Sequence, residues 1–534
     1  MGGAIERIQS NAVGAGASNG TATFGSLTSF LANQPSAFSA NVPGTGTMLG
    51  QRQTVGGAYL QDDWRASKAL TLNLGLRYET ASVPTEEHNR LATLTSLSSP
   101  EIHLGSPYFQ NPTKKDFSPR FGFAWTPFAD GKTVVRGGWG IYDSLPLTYE
   151  FALLSSLSAP YLEQGSSTSV TAGSFPKGLY ASVAGSSLRT AFIEQPAKAN
   201  YVEQWNLNIQ RDMGRDLIVE VAYAGTHGVH SPLNSTDINT VQPIHTSAGY
   251  LWPSPQSSGT KPLPTVGNAS AILWQVSNDY DALRLRVQKR LSHGWQVLGV
   301  YTWSKALDTG SASIQTAYTN SLSNLPIFDP RLRRGPSDFN VGRTATINGI
   351  WEVPAVKALG VLERGWQLGT ILQVSDGLPF TPTISGDALG LNSSVPYDFP
   401  MRLALPGCGN PVNPGNPIDY LKLSCFAAPN PVTLLGDAGR NIIVGPGLVN
   451  TDMSLVRNFH GQAGPESLKI QFRAEAFNVI NRTNFSPPNS TGAQLFGLSG
   501  KGVTAALNPI LSAGSLTSTA TTSRQIQLAL KITF

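Results

Sequence analysis

Residues 54–80 read TVGGAYLQDDW, RASK, ALTLNLGLRYET, and this stretch decides the fold. Leu70, Leu72, Leu74, Leu76 and Tyr78 alternate with Thr71, Asn73, Arg77 and Glu79. Successive side chains on a strand point to opposite faces, so this segment is a strand with one apolar and one polar face. RASK joins it to the preceding strand as a short polar turn. Each arm runs to about ten residues, whereas soluble strands average roughly five or six. Ten residues is about the length that crosses a bilayer when tilted.

The same unit recurs along the chain. SPRFGFAWTPF, ADGK and TVVRGGWGIY follow at 118–142, and YVEQWNLNIQR, DMGR and DLIVEVAYAG at 201–225. YDALRLRVQKR, LSHG and WQVLGVYTWS occupy 280–304. Further pairs are read at about 338–353 with 364–375, and at about 449–459 with 468–480. SRQIQLALKITF ends the chain with Ile526, Leu528, Leu530, Ile532 and Phe534 on one face, and Leu468, Ile470, Phe472, Ala474 and Ala476 alternate with Lys469, Gln471, Arg473 and Glu475. Alternation alone also fits a soluble sheet with one face on a core.

The connections separate the two readings. Short turns alternate with long Ser-, Pro-, Asn-, Gly- and Thr-rich loops at roughly 81–117, 143–200, 227–279, 305–337, 376–448 and 481–522. Outer-membrane barrels have short turns on one side and long loops on the other. A propeller would repeat every ~40–45 residues, and these hairpins are unevenly spaced. Trp64, Tyr78, Trp125, Tyr142, Trp205, Tyr223, Trp295, Trp303 and Trp366 fall near expected strand ends, as interfacial aromatic girdles do. The fold class is therefore all-β: a transmembrane antiparallel up-and-down β-barrel, partial, with about 13–14 long strands and no plug. Residues 1–50 form a Gly/Ala/Ser-rich segment, read as an outer loop with a weak strand at GAIERIQS, and 51–534 form the barrel portion.

Composition agrees. The chain has 534 residues, of which 54 are Gly and 13% are charged, against roughly 25% charged in ordinary soluble domains. The net charge of +5 carries no basic block, so nucleic acid is not an expected partner. GGAIERIQSN after Met1 lacks the charged-then-apolar pattern of a signal peptide.

Several segments also resemble TonB-dependent outer-membrane receptors. They are AYLQDDWRASKALTLNLGLRYE, SPRFGFAWTPFADGKTVVRGGWGIYDS, GWQLGTILQVSDGLPFT, GPGLVNTDMSLVRNF, LKIQFRAEAFNVINRTNF and RQIQLALKITF. In this order they are similar to the Oar-like transporters, which often carry a carboxypeptidase-regulatory-like domain. The resemblance implies an outer-membrane location and passage of a nutrient driven through TonB. It also implies that Phe534 is a signal read by the barrel-assembly machinery. Family members have a signal peptide, a TonB-contacting segment and a plug before the barrel. This sequence is therefore expected to be a truncated product that meets the TonB complex only through a missing plug region. Transporters of this type have 22 strands. Thirteen strands, an odd number, would leave an open sheet or a poorly closed barrel. The alternative function is a structural or adhesive surface protein without transport.

Little catalytic chemistry is expected. HExxH, GxSxG and Walker A patterns are absent, and no enzyme activity or cofactor is predicted. His227 and His230 in HGVH have a spacing that suits a metal, but lack a clear third ligand and read as a loop. Asp62 and Asp63 could be an acid–base pair, but match the QDDW segment beside a turn and read as structural. Arg331, Arg333 and Arg334 read as solvated or as contacts to lipopolysaccharide phosphate. Cys408 and Cys425, the only cysteines, share the longest loop. A disulfide there would stabilise it by about 3 kcal/mol in an oxidising compartment; two free thiols are the alternative. The expected lumen-facing residues are Arg77, Glu79, Arg284, Arg286, Lys469, Arg473 and Glu475, since charge on the lipid face costs ~2–4 kcal/mol at the midplane.

Overall fold

The computed structural model describes residues 1–13, 20–42, 45, 48–183, 188–235, 237–253, 259–311, 329–354, 365–389, 391, 398–463, 466–489, 492–500 and 505–533. Phe534 lies outside the described residues.

Fourteen long strands form one antiparallel meander: β1 (Gly2–Val13), β2 (Met48–Trp64), β3 (Leu70–Ala81), β4 (Phe117–Trp125), β5 (Thr133–Asp143), β6 (Tyr201–Gly214), β7 (Leu217–Ser235), β8 (Ala269–Ser292), β9 (Trp295–Asp308), β10 (Arg343–Glu352), β11 (Trp366–Ser375), β12 (Leu448–Ala463), β13 (Glu466–Phe477) and β14 (Gln525–Thr533). Each pairs with its sequence neighbour. The alternation of short turns and long loops dictates this order, because a short turn can only join adjacent antiparallel strands. At the tightest, Ser292 pairs with Trp295, and His293 and Gly294 both take positive φ (54° and 79°). That is the two-residue mirror-image turn that matches strand twist.

The N-terminal segment is more regular than expected. β1 pairs with β2 over its full twelve residues, from Gly2 opposite Tyr59 to Val13 opposite Met48. The boundary drawn at residue 50 therefore falls inside β2, which starts at Met48. With fourteen strands the count is even, so β1 and β14 run in opposite directions, as closure of an antiparallel barrel requires. Among the described residues no ladder joins them, and β14 is exposed throughout.

Register carries one face from β3 through β14. Leu72, Phe123, Leu207, Tyr223, Leu283 and Trp303 lie in one row across β3–β9. From Trp295 on the same face, the row continues through Trp351, Leu368, Leu455, Ala474 and Leu528. These side chains are largely exposed, Leu283 at 44%, so this face packs on nothing in the protein. Trp64, Trp125, Trp295, Trp351 and Trp366 sit within two residues of strand ends on the short-turn side, where an interfacial belt belongs. Trp205 and Tyr223 lie further inside β6 and β7.

The buried cores are in the connections instead. The largest gathers Phe380, Ile384, Phe399, Leu421, Phe426, Leu495 and Phe496 from the 376–448 and 478–524 loops, with Trp252 from a third. A second joins Leu91, Phe109, Phe151, Ile193 and Trp274. The loops are thus folded caps with short strands and turns of their own. No helix among the described residues is long and apolar enough to cross a membrane, which says nothing of strands.

Candidate functional site

Helix α1 (Thr148–Ser156) establishes which face of the sheet is concave. Gln53 of β2 shares a face with Tyr59, whose cross-strand partner is Arg77. Its Oε1 accepts from the Thr148 N–H (3.1 Å) and hydroxyl (2.8 Å), and its Nε2 donates to the Pro146 carbonyl (2.7 Å). At its other side α1 stacks Phe151 on Trp274 of β8, ring centroids 5.2 Å apart. β2 and β8 are six strands apart, roughly 29 Å in a flat sheet. A nine-residue helix is only about 13 Å long. The sheet must therefore curl around α1, with the Gln53 face inside.

All seven charged residues named from the sequence lie on that concave face. Arg77 connects by register through Ser118 and Ala124 on β4, Arg136, Asn208 and Ala222 to Arg284. From there Thr302, Thr344 and Ser375 lead to β12, where Ser454 and Val456 face Glu475 and Arg473. Arg286 and Lys469 share this alternation. The structure does not gather them into one site. Arg77 pairs with Glu79 at 2.7 Å, and Arg473 with Glu475 at 3.4 Å. Arg284 (2.8 Å) and Arg286 (3.7 Å) share Glu220, a carboxylate the sequence reading missed. The Arg77–Glu79 and Arg473–Glu475 pairs are each neutral, while Arg284 and Arg286 with Glu220 keep one net positive charge, on a wall that also carries Asn206, Asn208, Gln210, Gln288, Asn348 and Asp452 in the same alternation.

A cavity of about 340 Å³ lies between α1 and the extended ends of β7 and β8, lined in part by Glu150, Asn200, Ser231, Asn278 and Ser311. Asn278 is on the concave face, six residues from Arg284. Glu150 Oε1 is buried without a hydrogen-bond partner. Burial pushes the Glu150 carboxyl up to about 7, because water no longer solvates its charged form. No motif announced this site: its groups come from five separate segments.

Behind the cavity, Arg440 of the largest cap reaches the end of β9. It forms ion pairs with Asp308 and, at 3.4 Å, with Asp338, and donates to Ser311 Oγ (3.1 Å) and the Arg333 carbonyl (2.9 Å). The guanidinium and both carboxylates are almost fully buried. Here one sequence expectation is corrected. Arg331, Arg333 and Arg334 do not form one solvated patch: Arg331 turns outward beside Asp329 (2.9 Å), Arg334 pairs with Asp279 (2.8 Å), and Arg333 is fully buried against Gln275 (3.0 Å). A turn over Pro330–Arg333 splits the run among three directions.

The two histidines are likewise separated by their partners. His227 Nδ1 meets Asp279 at 2.6 Å and His230 Nδ1 meets the Ala199 carbonyl at 3.1 Å. No group of three or more metal-ligating side chains occurs among the described residues. Asp63 accepts from Asn73 (2.6 Å), a cross-strand contact, and Asp62 on the opposite face of β2 is not directed toward it. Cys408 and Cys425 form a disulfide, Cα atoms 5.4 Å apart, within the largest cap core.

Several solved structures resemble the chain at low identity. The outer-membrane transporter YddB of Escherichia coli is 13% identical, with a TM-score of 0.44, and the match covers 92% of this chain and 46% of that one. The FrpB iron transporter of Neisseria meningitidis is 11% identical (TM-score 0.40; 90% and 46%). The siderophore receptor PiuA of Acinetobacter baumannii is 10% identical (TM-score 0.41; 91% and 44%). The chain spans less than half the length of these proteins. No curated protein matches it. The model of the outer membrane beta barrel domain matches residues 1–527; with one apolar face carried across β3–β14, the chain belongs to that family and is a protein of the outer membrane.

Proposed function

We propose that this chain forms the wall and outer mouth of a TonB-dependent nutrient transporter of the Oar-like kind. One observation carries the reading: the concave face carries charged, amide or hydroxyl side chains on most of its strands, with an apolar patch of Leu298, Val300, Ile350 and Ile371 on β9–β11, and folded caps rather than loose loops stand over its outer rim. A polar wall hydrates a lumen, and caps with their own cores hold binding groups in place. Arg77, Glu79, Arg284, Arg286, Lys469, Arg473 and Glu475 are then lumen residues, where ion pairing and water offset the cost of charge. TonB would act through a plug domain of the assembled transporter. Lipid and lipopolysaccharide would surround the convex face, and the barrel-assembly machinery would insert it, reading Phe534. The work is binding and passage, not catalysis, and calls for no cofactor.

The test is nutrient-limited growth and radiolabelled uptake in cells carrying the intact gene, its deletion, or the gene in a strain lacking TonB. Uptake lost in both altered strains supports the proposal. Normal uptake in both, with loss of surface adhesion or envelope integrity on deletion, would establish instead the structural or adhesive reading.

A further inference from the structure

The cavity beside α1 has a chemical bias. Among the described residues Glu150 is its only charged lining group, and Ser144, Asn200, Ser231, Asn278 and Ser311 add hydroxyls and amides, of which Ser231 already donates to Asn200 Oδ1 (3.2 Å) and Ser311 to Asp308 (2.7 Å). An anion would meet a carboxylate with no cation to offset it. Flat faces that stack on rings find no platform either, because Phe151 and Trp274 are stacked on each other and both are buried. What the cavity lacks is a donor for Glu150, whose buried Oε1 has none. Above about pH 7, where Glu150 is ionised, a neutral polyol could supply a hydroxyl but would leave a desolvated negative charge uncompensated, which is costly. An ammonium supplies both the charge and up to three donors.

We propose that this cavity binds a small ligand through a protonated amine, with Glu150 as the counter-charge and the surrounding hydroxyls and amides holding the ligand's polar remainder. The inference rests on reading the cavity as the ligand site of the transporter mouth, and names the class of ligand. Neighbouring acids are already committed and do not compete. Glu86, on a short strand packed against α1, is bound by Arg90 at 2.7 Å. Glu194 accepts from the Trp274 N–H at 2.6 Å and from Gln275 at 3.2 Å.

The experiment is calorimetric titration of the full chain, purified in detergent micelles, with three ligands of one shape: 4-amino-1-butanol, 1,4-butanediol and 4-hydroxybutanoate. The amine should bind at least about tenfold more tightly than the diol, and the anion should show no heat. Glu150→Gln should abolish the preference. In the unaltered protein the amine's affinity should fall as pH is lowered below about 7, approaching tenfold per pH unit, as protons compete for Glu150. That measurement stands even if the variant folds poorly. Equal affinity for amine and diol, a preference that survives Glu150→Gln, or an affinity flat with pH would overturn the proposal. Uptake assays report separately. Amine binding without TonB-dependent uptake would sink the transport reading and keep this one; uptake without amine preference would do the reverse.

Discussion

Replacing Leu285 by Arg should separate the two faces of the wall energetically. Leu285 lies near the middle of the stretch Asn278–Lys289 of β8 that pairs with β9, between Val221 and Tyr301 on the apolar face, and is 41% exposed. With no protein packed over it, its neighbour in the membrane is lipid. An Arg there should destabilise the fold by about 2–4 kcal/mol, the depth-dependent cost near a bilayer midplane. The control is the next residue. Arg286 faces the concave side, 3.7 Å from Glu220, while Arg284 holds the same carboxylate at 2.8 Å. Arg286→Leu leaves Glu220 paired and should cost under about 1 kcal/mol. The assay is reversible guanidinium unfolding from phospholipid vesicles, followed by tryptophan fluorescence. A cost below about 1 kcal/mol for Leu285→Arg, or a larger one for Arg286→Leu, would refute the assignment of faces.

The caps yield three further expectations. Reducing the Cys408–Cys425 disulfide, which closes a separation of 17 residues, should loosen the largest cap by about 3 kcal/mol; limited proteolysis should then nick 400–430 while the strands stay intact. Arg440→Met strands the buried Asp308 and Asp338 carboxylates, a loss of about 3–5 kcal/mol, seen as faster hydrogen exchange in the cap but not in β2–β5. Burial, with Asp387 adding repulsion, pushes the Asp398 carboxyl up to about 7, against roughly 3.9 when unfolded. The folded cap holds that proton more tightly, so the benefit is complete below about pH 4 and lost as pH rises through 7. The cap should resist protease better at pH 5 than at pH 8, and Asp398→Asn should flatten the difference.

The wall was legible because its physics is local. Alternation in Leu70–Tyr78 or Leu468–Ala476 assigns a face to every residue without knowledge of the partner strand, and the turns RASK and LSHG fix who pairs with whom. GAIERIQS reads as a weak strand for the same reason: its alternation is poor, and its strand rests on a twelve-residue ladder to β2 that only pairing reveals. The cavity was not legible at all. Glu150 sits in a short helix inside a loop, Asn200 and Ser231 beside strand ends, and Ser311 beyond β9. No periodicity joins them; the tertiary fold of the caps does. Arg333 shows the limit most clearly, since a loop arginine in a basic run reads as solvated, yet packing buries it completely.

A membrane wall has an inverted economy of burial, and this explains where the buried charged groups sit. The convex apolar face is covered by lipid and the concave face by water, so the strands need little packing against one another beyond their ladders. The outer caps stand in water and have no such help. They must bury apolar groups against each other, and they do so in cores that join two or three loops, in two cases with the extended end of β8. Folding this way also buries charged side chains where caps meet the rim, and each then needs a partner. Arg440 with Asp308 and Asp338 is one such junction in which the charges found partners; Glu150 is another in which one carboxylate oxygen did not. The first locks a cap to β9, and the second belongs to a residue that lines a cavity. A ligand that completes Glu150 would therefore bind between α1 and the ends of β7 and β8, bearing on the elements that hold the mouth in shape.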